Sequence, residues 1–261
     1  MTTAFFVGLS ELPSDGLFSR KFPPGPPGCG KTLLAKSLAN ESKSTFLSMT
    51  ASSLTSKWLG ESEKLVKALF AVARELKPSI LFIDEIDSLL SERKENEAEA
   101  TRRIKTEFFI ELDGLRSESN SDVFVLGATN VPYSLDEAAL RRFPKRIFIG
   151  LPDLKARKDL LQKLLEQQSN SLSESEINKL AGLTDGYSAS DITALAKDAA
   201  LGPIRELCGN SEGIKNLKPK NVRKINFADF QNSLNKIRRS CVDSSIERLV
   251  KWNREYGDIS A

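Results

Sequence analysis

The stretch that most constrains this chain is an eight-residue G-x-x-x-x-G-K-T loop that begins at Gly25 and ends at Thr32. Loops of this spacing wrap backbone N–H groups around the phosphates of a nucleotide, while the lysine reaches the terminal phosphates and the hydroxyl binds Mg²⁺. Residues 31–40 then have a helical pattern, and the positive end of such a helix favours a bound anion. The sequence therefore predicts a nucleotide and Mg²⁺ site. Its predicted nucleotide-binding residues are Gly25, Pro26, Pro27, Gly28, Cys29, Gly30, Lys31, Thr32 and Leu33.

The segment before this loop departs from the usual setting of the motif. Such a loop normally follows an apolar strand in the middle of a parallel sheet. Here charged residues interrupt residues 17–22, and Pro23 and Pro24 end the run. Proline cannot donate to a sheet ladder, so we expect no regular strand directly before the loop. A chance turn rich in glycine and proline is the alternative interpretation, but the full motif and the helical pattern after it argue against that.

Composition limits the chemistry that the chain can perform. The 261 residues are 40% hydrophobic and 28% charged, which is typical of a globular protein with one large domain or two smaller ones. Because histidine is absent, carboxylates, lysines and arginines must carry any catalysis. Three cysteines at unrelated spacings argue against a disulfide framework or a zinc cluster. The net charge of +3 gives no signature of nucleic-acid binding. Neither a transmembrane run nor a secretory signal is recognisable, so we expect an intracellular protein.

Short apolar runs alternate with helical patterns after the loop, which predicts a parallel sheet covered by helices. The predicted strands are Thr45–Met49, Ser79–Ile83, Val123–Leu126 and Ile147–Ile149. The β signal disappears beyond Pro152, and helical patterns follow. We therefore predict an atypical segment over residues 1–24, an α/β subdomain over residues 25–150 and a helical subdomain over residues 151–261, which includes a C-terminal helix, Asp243–Tyr256.

Two helices of the α/β subdomain have readable apolar stripes. The first stripe consists of Leu65, Ala68, Leu69, Val72 and Leu76. The second consists of Ile104, Phe108 and Leu112, and we expect its helix to end at Asp113 and Gly114. A third helical pattern, in the later subdomain, places Ile192, Leu195, Ala196 and Ala199 on one face.

Two carboxylates end the second predicted strand, and they are the partners that a phosphate-binding loop requires. Asp84 would hold Mg²⁺ through its water shell, and Glu85 would polarise the water that attacks the γ-phosphate. The alternative is a buried strand followed by an ordinary polar turn. The phosphate-binding loop upstream favours the catalytic interpretation.

A lone amide, Asn130, follows the next predicted strand, where it would bind both the γ-phosphate and the attacking water. Asparagine at a strand end is otherwise a common turn former. Arg141 and Arg142 follow a short helical pattern and are candidates for arginine fingers, which stabilise transition-state charge from a neighbouring subunit. From the residues alone, a solvated basic turn is the favoured explanation of this pair.

These motifs together resemble the meiotic clade of AAA ATPases, and within it the microtubule-severing enzymes. The resemblance runs from Gly25 to the C-terminus, and its most specific segments are Leu54–Glu61, Glu63–Leu76 and Tyr187–Leu207. It implies a P-loop AAA ATPase subdomain with a parallel sheet and a small helical lid, with ATP and Mg²⁺ as cofactors. It also implies a homo-hexamer whose central pore pulls the acidic tails of tubulin. A cytoplasmic, cytoskeleton-associated location follows, with a nuclear or perinuclear pool as a further expectation.

The resemblance also implies roles for individual residues. The first pore loop would contain Lys57, Trp58 and Leu59, and the second would contain Arg102 and Arg103. Asn130 matches the sensor-1 position, Arg141 and Arg142 match the finger pair, and Ala189 and Ser190 lie in the sensor-2 turn beside the nucleotide. Ala189 stands where the family usually has glycine, so a positive φ there would cost about 1 kcal/mol.

Bland interpretations of these residues stay open. Trp58 also fits an exposed aromatic at a loop tip, and Arg102 and Arg103 also fit a solvated helix face. A basic set after Cys208 would attract acidic tubulin tails or form a solvated surface. Its members are Lys215, Lys218, Lys220, Arg223, Lys224, Lys236, Arg238 and Arg239.

Residues 1–24 do not resemble the family's segment before the loop, which supplies an adenine-contacting turn and the central strand. We therefore expect a truncated, alternatively spliced or mis-assembled version of such a chain. The expected function is ATP-driven microtubule severing. The alternatives are an interaction subunit that does not hydrolyse ATP and a related remodeller of membrane-associated filaments.

Overall fold

A computed structural model of the chain describes residues 3–8, 31–55, 61–92, 99–117, 122–166, 168–208, 222–241 and 243–257. Its strands are β1 (Thr3–Gly8), β2 (Thr45–Thr50), β3 (Ser79–Asp84), β4 (Val123–Thr129) and β5 (Lys145–Ile149). Its helices before β5 are α1 (Lys31–Glu41), α2 (Ala51–Thr55), α3 (Glu61–Glu75), α4 (Asp87–Leu90), α5 (Glu99–Ser117) and α6 (Glu137–Arg142). Those after β5 are α7 (Leu154–Glu166), α8 (Glu174–Leu183), α9 (Ala189–Ala200), α10 (Gly202–Cys208), α11 (Phe227–Leu234) and α12 (Asp243–Tyr256).

The strands form one sheet in the order β2-β3-β4-β1-β5. The four predicted strands are confirmed, and β2, β3 and β4 pair in parallel. Strand β1 was not predicted. It lies between β4 and β5 and runs antiparallel to both, with Ala4 opposite Thr129 and Gly8 opposite Val125. The stretch 17–24, where the sequence analysis expected no regular strand, lies outside the described residues.

Strand β3 is buried on both faces, which explains its continuous apolar sequence. Leu81 and Ile83 face a core built mainly with α3 and α5. Ile80 and Phe82, which alternate with them, face a second core that includes residues of α1. The sheet is therefore covered on both sides, as the alternating pattern predicted.

Helix α3 exists where it was predicted, but its buried stripe is shifted. Val66, Phe70 and Ala73 are buried, whereas the predicted Val72 and Leu76 are exposed. The two stripes differ by one residue around the helix, and both contain apolar side chains at helical spacing. Sequence periodicity alone therefore did not identify which stripe contacts the sheet.

Helix α5 continues beyond its predicted end at Gly114 and reaches Ser117. Leu115, which follows Gly114, is buried in the core. Its burial offsets the loss of helix stability that glycine causes, about 1 kcal/mol. A β-carbon at Gly114 would lie 3.3 Å from an Arg74 guanidinium nitrogen of α3. The glycine thus lies beside an α3 side chain within a continuing helix and does not end α5.

The chain divides into two compact units. One, the lid unit, contains Gly150–Asp243, and the other, the α/β unit, contains the sheet with Lys31–Ile149 and Ser244–Ala261. In the lid unit the predicted stripe of α9 is buried with leucines of α7 and α8 and with Phe230 of α11. Arg157 is also buried there, and it donates hydrogen bonds to the carbonyls of Pro152 and Ala181.

Helix α12 has its predicted bounds, but it belongs to a different unit from the one expected. Its position in the chain, after the helical subdomain, predicted that it belongs to that subdomain. In the structure Trp252 of α12 is buried in the core that contains Phe70 and Phe108. Across the described residues, no helix is both long and apolar enough to cross a bilayer.

Candidate nucleotide site

Two of the predicted catalytic residues, Glu85 and Asn130, directly follow adjacent parallel strands. Strands β3 and β4 are paired, with Ile83 opposite Gly127. Their carboxyl ends therefore lie at the same edge of the sheet, and this edge carries Asp84 and Asn130. Open α/β sheets bind ligands at this edge.

Lys31, at the start of α1, reaches the same edge. Its Nζ donates a hydrogen bond to Oδ1 of Asn130 at 2.9 Å and lies 3.7 Å from Oδ1 of Asp84. The structure thus brings together three residues that are widely separated in sequence. Thr32 and Leu33 lie in the same first turn of α1, whereas Gly25–Gly30 lie outside the described residues.

Glu85 is exposed and has a φ of 53°, which lies in the left-handed region. A residue with a β-carbon is strained there by about 1–2 kcal/mol. The backbone N–H of Glu85 donates to Oδ1 of Asp84 at 3.0 Å. The turn therefore directs the two carboxylates differently, with Asp84 towards Lys31 and Glu85 towards solvent. Such strain is common at functional sites.

Two residues that the sequence analysis did not single out connect this turn to β4. The hydroxyl of Thr129 donates to the carboxylate of Asp87, and its oxygen accepts a hydrogen bond from the N–H of Val131 at 3.0 Å. The available signal was their position, since Asp87 closely follows Glu85 and Thr129 precedes Asn130. Nothing in the local sequence indicates that the two side chains meet.

Arg141 and Arg142 are neighbours in α6 with different surroundings. The Arg142 guanidinium donates to both carboxylate oxygens of Asp113, at 2.7–3.1 Å, and stacks over Phe109 at 4.5 Å. Arg141 pairs with Glu137 at 3.3 Å, and its side chain is 80% exposed, against 27% for Arg142. The assignment of both as fingers stays a prediction; within this chain Arg142 also holds α6 on α5.

We expect Arg142→Ala to lower the free energy of unfolding by about 1 kcal/mol, because a partly buried set of charged hydrogen bonds is lost. The matched change, Arg141→Ala, removes only an exposed pair and is expected to leave stability within about 0.5 kcal/mol. Urea unfolding followed by circular dichroism measures both. Equal losses from the two variants would contradict the anchoring role of Arg142.

The predicted pore residues are only partly described. Arg102 and Arg103 lie on the exposed face of α5, and Arg103 pairs with Glu99 at 2.6 Å. Lys57, Trp58 and Leu59 lie outside the described residues. Within the basic set after Cys208, Arg223 and Arg239 are bound to carboxylates of the lid unit.

The predicted sensor-2 turn lies in the lid unit. Ala189 and Ser190 form the first turn of α9, whose N-terminus is capped by Ser188 and Asp191. The positive φ, 74°, belongs to Gly186, so Ala189 does not carry the strain that a positive φ would cause there. Alanine is a good helix former at this position.

Asp191 also fixes this turn to the segment before α12. Its carboxylate accepts hydrogen bonds from the backbone N–H and hydroxyl groups of both Ser188 and Ser240. Burial alone would raise the pKa of Asp191, but these hydrogen bonds outweigh it and hold the pKa below its usual value. The carboxylate therefore stays ionised as a structural acceptor.

The described residues of the α/β unit fit a nucleotide with Mg²⁺. The first turn of α1 contains no acidic residue, so its N-terminal N–H groups and Lys31 present positive charge to an anion. The Thr32 hydroxyl and the Asp84 carboxylate are hard oxygen donors, which Mg²⁺ prefers. The chemistry of these groups matches the loop motif that precedes them.

Comparison with known families supports the fold. Residues 24–151 match the ATPase family associated with various cellular activities (AAA), and residues 174–217 match the AAA+ lid domain. Among solved structures, the FIGL-1 AAA domain in complex with ADP is 43% identical, with a TM-score of 0.81, over 90% of this chain and 77% of that chain. A structure described as the structural basis for katanin self-assembly is 38% identical, with a TM-score of 0.71, over 87% and 75% of the two chains.

The chain is also similar to the spastins of several animals. The chain is 61% identical to spastin of Ixodes scapularis over 98% of its own length and 38% of that relative. It is 58% identical to spastin of Danio rerio over 97% of its own length and 43% of that relative. The chain thus spans about two fifths of the length of these relatives.

Proposed function

Because the chain belongs to the AAA family of ATPases, we propose that it hydrolyses ATP and that this hydrolysis drives the severing of microtubules. The observation that carries the proposal is the meeting of Lys31, Asp84 and Asn130 at one sheet edge, beside the exposed Glu85. Phosphoryl transfer depends almost entirely on positioning and on electrostatic stabilisation. A cation, two carboxylates and an amide at one edge supply both.

The first step assigned to these residues is phosphate binding. Lys31 and the N-terminus of α1 would hold the phosphates, and Lys31 would exchange its contacts with Asn130 and Asp84 for contacts with phosphate oxygens. Thr32 and Asp84 would hold Mg²⁺, Asp84 through a water molecule. When bound, the ion would neutralise charge on the phosphate oxygens.

The second step is activation of water. Glu85 would orient the attacking water and accept its proton, as a carboxylate placed in solvent beside the phosphate site can. The amide nitrogen of Asn130, whose oxygen accepts from Lys31, would donate to the phosphate or to the water. Ala189 and Ser190 of the lid unit are proposed to contact the nucleotide.

The remaining predicted residues act between subunits in this proposal. Six copies would form a ring in which Arg141 and Arg142 stabilise transition-state charge at the neighbouring site. The ring's pore would grip tubulin tails through Lys57, Trp58, Leu59, Arg102 and Arg103. Cationic side chains suit the acidic tails, and the work would be done at the cytoskeleton in the cytoplasm.

Comparing the severing of tail-bearing and tail-less microtubules tests whether the acidic tubulin tails are the substrate. We expect ATP-dependent loss of filaments only when the acidic tails are present, because the tails supply the grip. Filament loss is followed by fluorescence microscopy, with ADP in place of ATP as the control. Equal loss of both filament types would reject tail pulling, and loss of neither would favour a remodeller of other filaments.

A second candidate is an interaction subunit that joins such an assembly without hydrolysing ATP. The direction of β1 favours it, since Gly8, the last residue of β1, pairs with Val125 and lies away from the edge that carries Asn130. A nucleotide titration with a phosphate-release assay separates the candidates. Saturable ATP binding with turnover supports the enzyme, and binding without turnover supports the subunit.

A further inference from the structure

Two hydrogen bonds fasten the turn after β3 to the end of β4. The N–H of Ile86 donates to the carbonyl of Ala128 at 3.0 Å, and the Thr129 hydroxyl donates to the carboxylate of Asp87. Thr129 is 0% exposed, so its hydroxyl has little access to water. A buried hydroxyl that loses its hydrogen-bond partner destabilises the fold. The Thr129 hydroxyl therefore favours the one arrangement in which it meets Asp87.

The two bonds join residues that are next to the proposed reacting groups in the chain. Glu85 precedes the anchored Ile86 and Asp87. Asn130 lies between Thr129 and Val131, which are joined through the Thr129 hydroxyl oxygen at 3.0 Å. The link therefore sets the position of Glu85 relative to Asn130, although neither side chain takes part in it.

The backbone strain at Glu85 requires such anchoring. A φ of 53° in a residue with a β-carbon persists only when the surrounding structure enforces it. The contacts nearest to Glu85 in the chain are its own backbone bonds, from its N–H to Asp84 and to its carbonyl from the N–H of Ser88 at 2.9 Å, and then those of Ile86 and Asp87. Weakening them would let the turn relax and move the Glu85 carboxylate.

Gly127 allows the turn to approach β4. A β-carbon at this position would lie 2.6 Å from Cδ1 of Ile86, which is itself buried. The fully buried surroundings give that side chain little room to move. Any larger residue would therefore displace Ile86, the neighbour of Glu85.

We infer that Asp87, Thr129 and Gly127 are positioning residues that hold Glu85 in register with Asn130. The inference rests on the proposed ATPase function, because the groups that are positioned are its reacting groups. None of the three is assigned contact with ATP. Their loss should therefore slow turnover and leave nucleotide affinity nearly unchanged.

The kinetic test compares Thr129→Val with Thr129→Ser. We expect Thr129→Val to lower kcat roughly tenfold, since small misplacements of a catalytic group have large effects, while the Kd for a fluorescent ATP analogue changes less than about twofold. Thr129→Ser keeps the hydroxyl and should restore most of the turnover.

The matched control is Ser79→Ala. Ser79 is also 0% exposed, and its hydroxyl donates to the carbonyl of Ala73 at 2.7 Å, but it begins β3 at the opposite end from the site. This variant loses a buried hydroxyl bond without touching the turn, so its kcat should stay near that of the parent. Equal losses of kcat in Thr129→Val and Ser79→Ala would show that Thr129 only stabilises the fold, and would overturn the inference.

Amide hydrogen exchange tests the inference without relying on activity. In Thr129→Val the N–H of Ile86 should exchange roughly tenfold or more faster, while amides of α3 keep their protection. Unchanged exchange at Ile86 would overturn the positioning role even if kcat fell. If the parent protein binds ATP without turnover, the proposed hydrolysis is rejected. The exchange rate of the Ile86 N–H would still test whether the link positions Glu85.

Discussion

Glu85→Gln is expected to lower the rate of ATP hydrolysis by about a hundredfold or more, while ATP affinity stays within about twofold. Glutamine has nearly the same shape as glutamate and tolerates a φ of 53° no better or worse, so the turn keeps its geometry. It cannot accept a proton from the attacking water. Phosphate release at saturating ATP gives kcat, and a fluorescent analogue gives the affinity.

The control for this variant is Glu75→Gln, the same chemical change at the exposed end of α3. It should hydrolyse ATP at the parent rate, since α3 ends beside the start of β3 and not beside its carboxyl end. Turnover by Glu85→Gln at the rate of Glu75→Gln would remove Glu85 from the mechanism. Loss of nucleotide binding together with turnover would make Glu85 a binding residue instead.

Trp252→Ala is expected to lower the free energy of unfolding of the α/β unit by about 3–5 kcal/mol, as removal of a buried aromatic side chain does. Trp252 is 7% exposed and lies in the core that contains Phe70, Phe108 and Phe143. A cavity of that size in a packed core cannot close fully. Urea unfolding, followed by the near-ultraviolet signal, measures the change.

Tyr256→Ala provides the comparison for Trp252. The two rings stack with their centroids 5.5 Å apart, but Tyr256 is 47% exposed. Its loss should cost only about 1 kcal/mol, mainly from the lost ring contact. A cost for Trp252→Ala as small as that for Tyr256→Ala would show that α12 does not complete the α/β core.

The sequence predicted the parts of the fold that depend on short-range pattern. The apolar runs of β3 and β4 are buried from both sides, so their composition alone identified them. The edge that carries Asp84 and Asn130 followed from the parallel direction of these strands. The polar residues stand directly at the ends of readable strands, which made this part of the site predictable.

The parts that were missed depend on tertiary contacts. Residues 3–8 form a strand because two neighbours pair with them, and their short apolar sequence fits many other structures. Arg141 and Arg142 are the same residue type, so only burial and Asp113 distinguish them. The bond between Asp87 and Thr129 joins residues 42 positions apart in the chain.

Helix α12 gives the chain an unusual order of completion. The α/β unit begins before the lid unit and receives Trp252 only after all of Gly150–Asp243 has been made. During synthesis, the core of the α/β unit therefore stays incomplete while the lid unit, whose described residues all lie within Gly150–Asp243, can already fold. Helix α12 therefore completes the α/β core last. A chain whose synthesis stops within this helix would have a folded lid unit attached to an α/β unit with an exposed, aggregation-prone core.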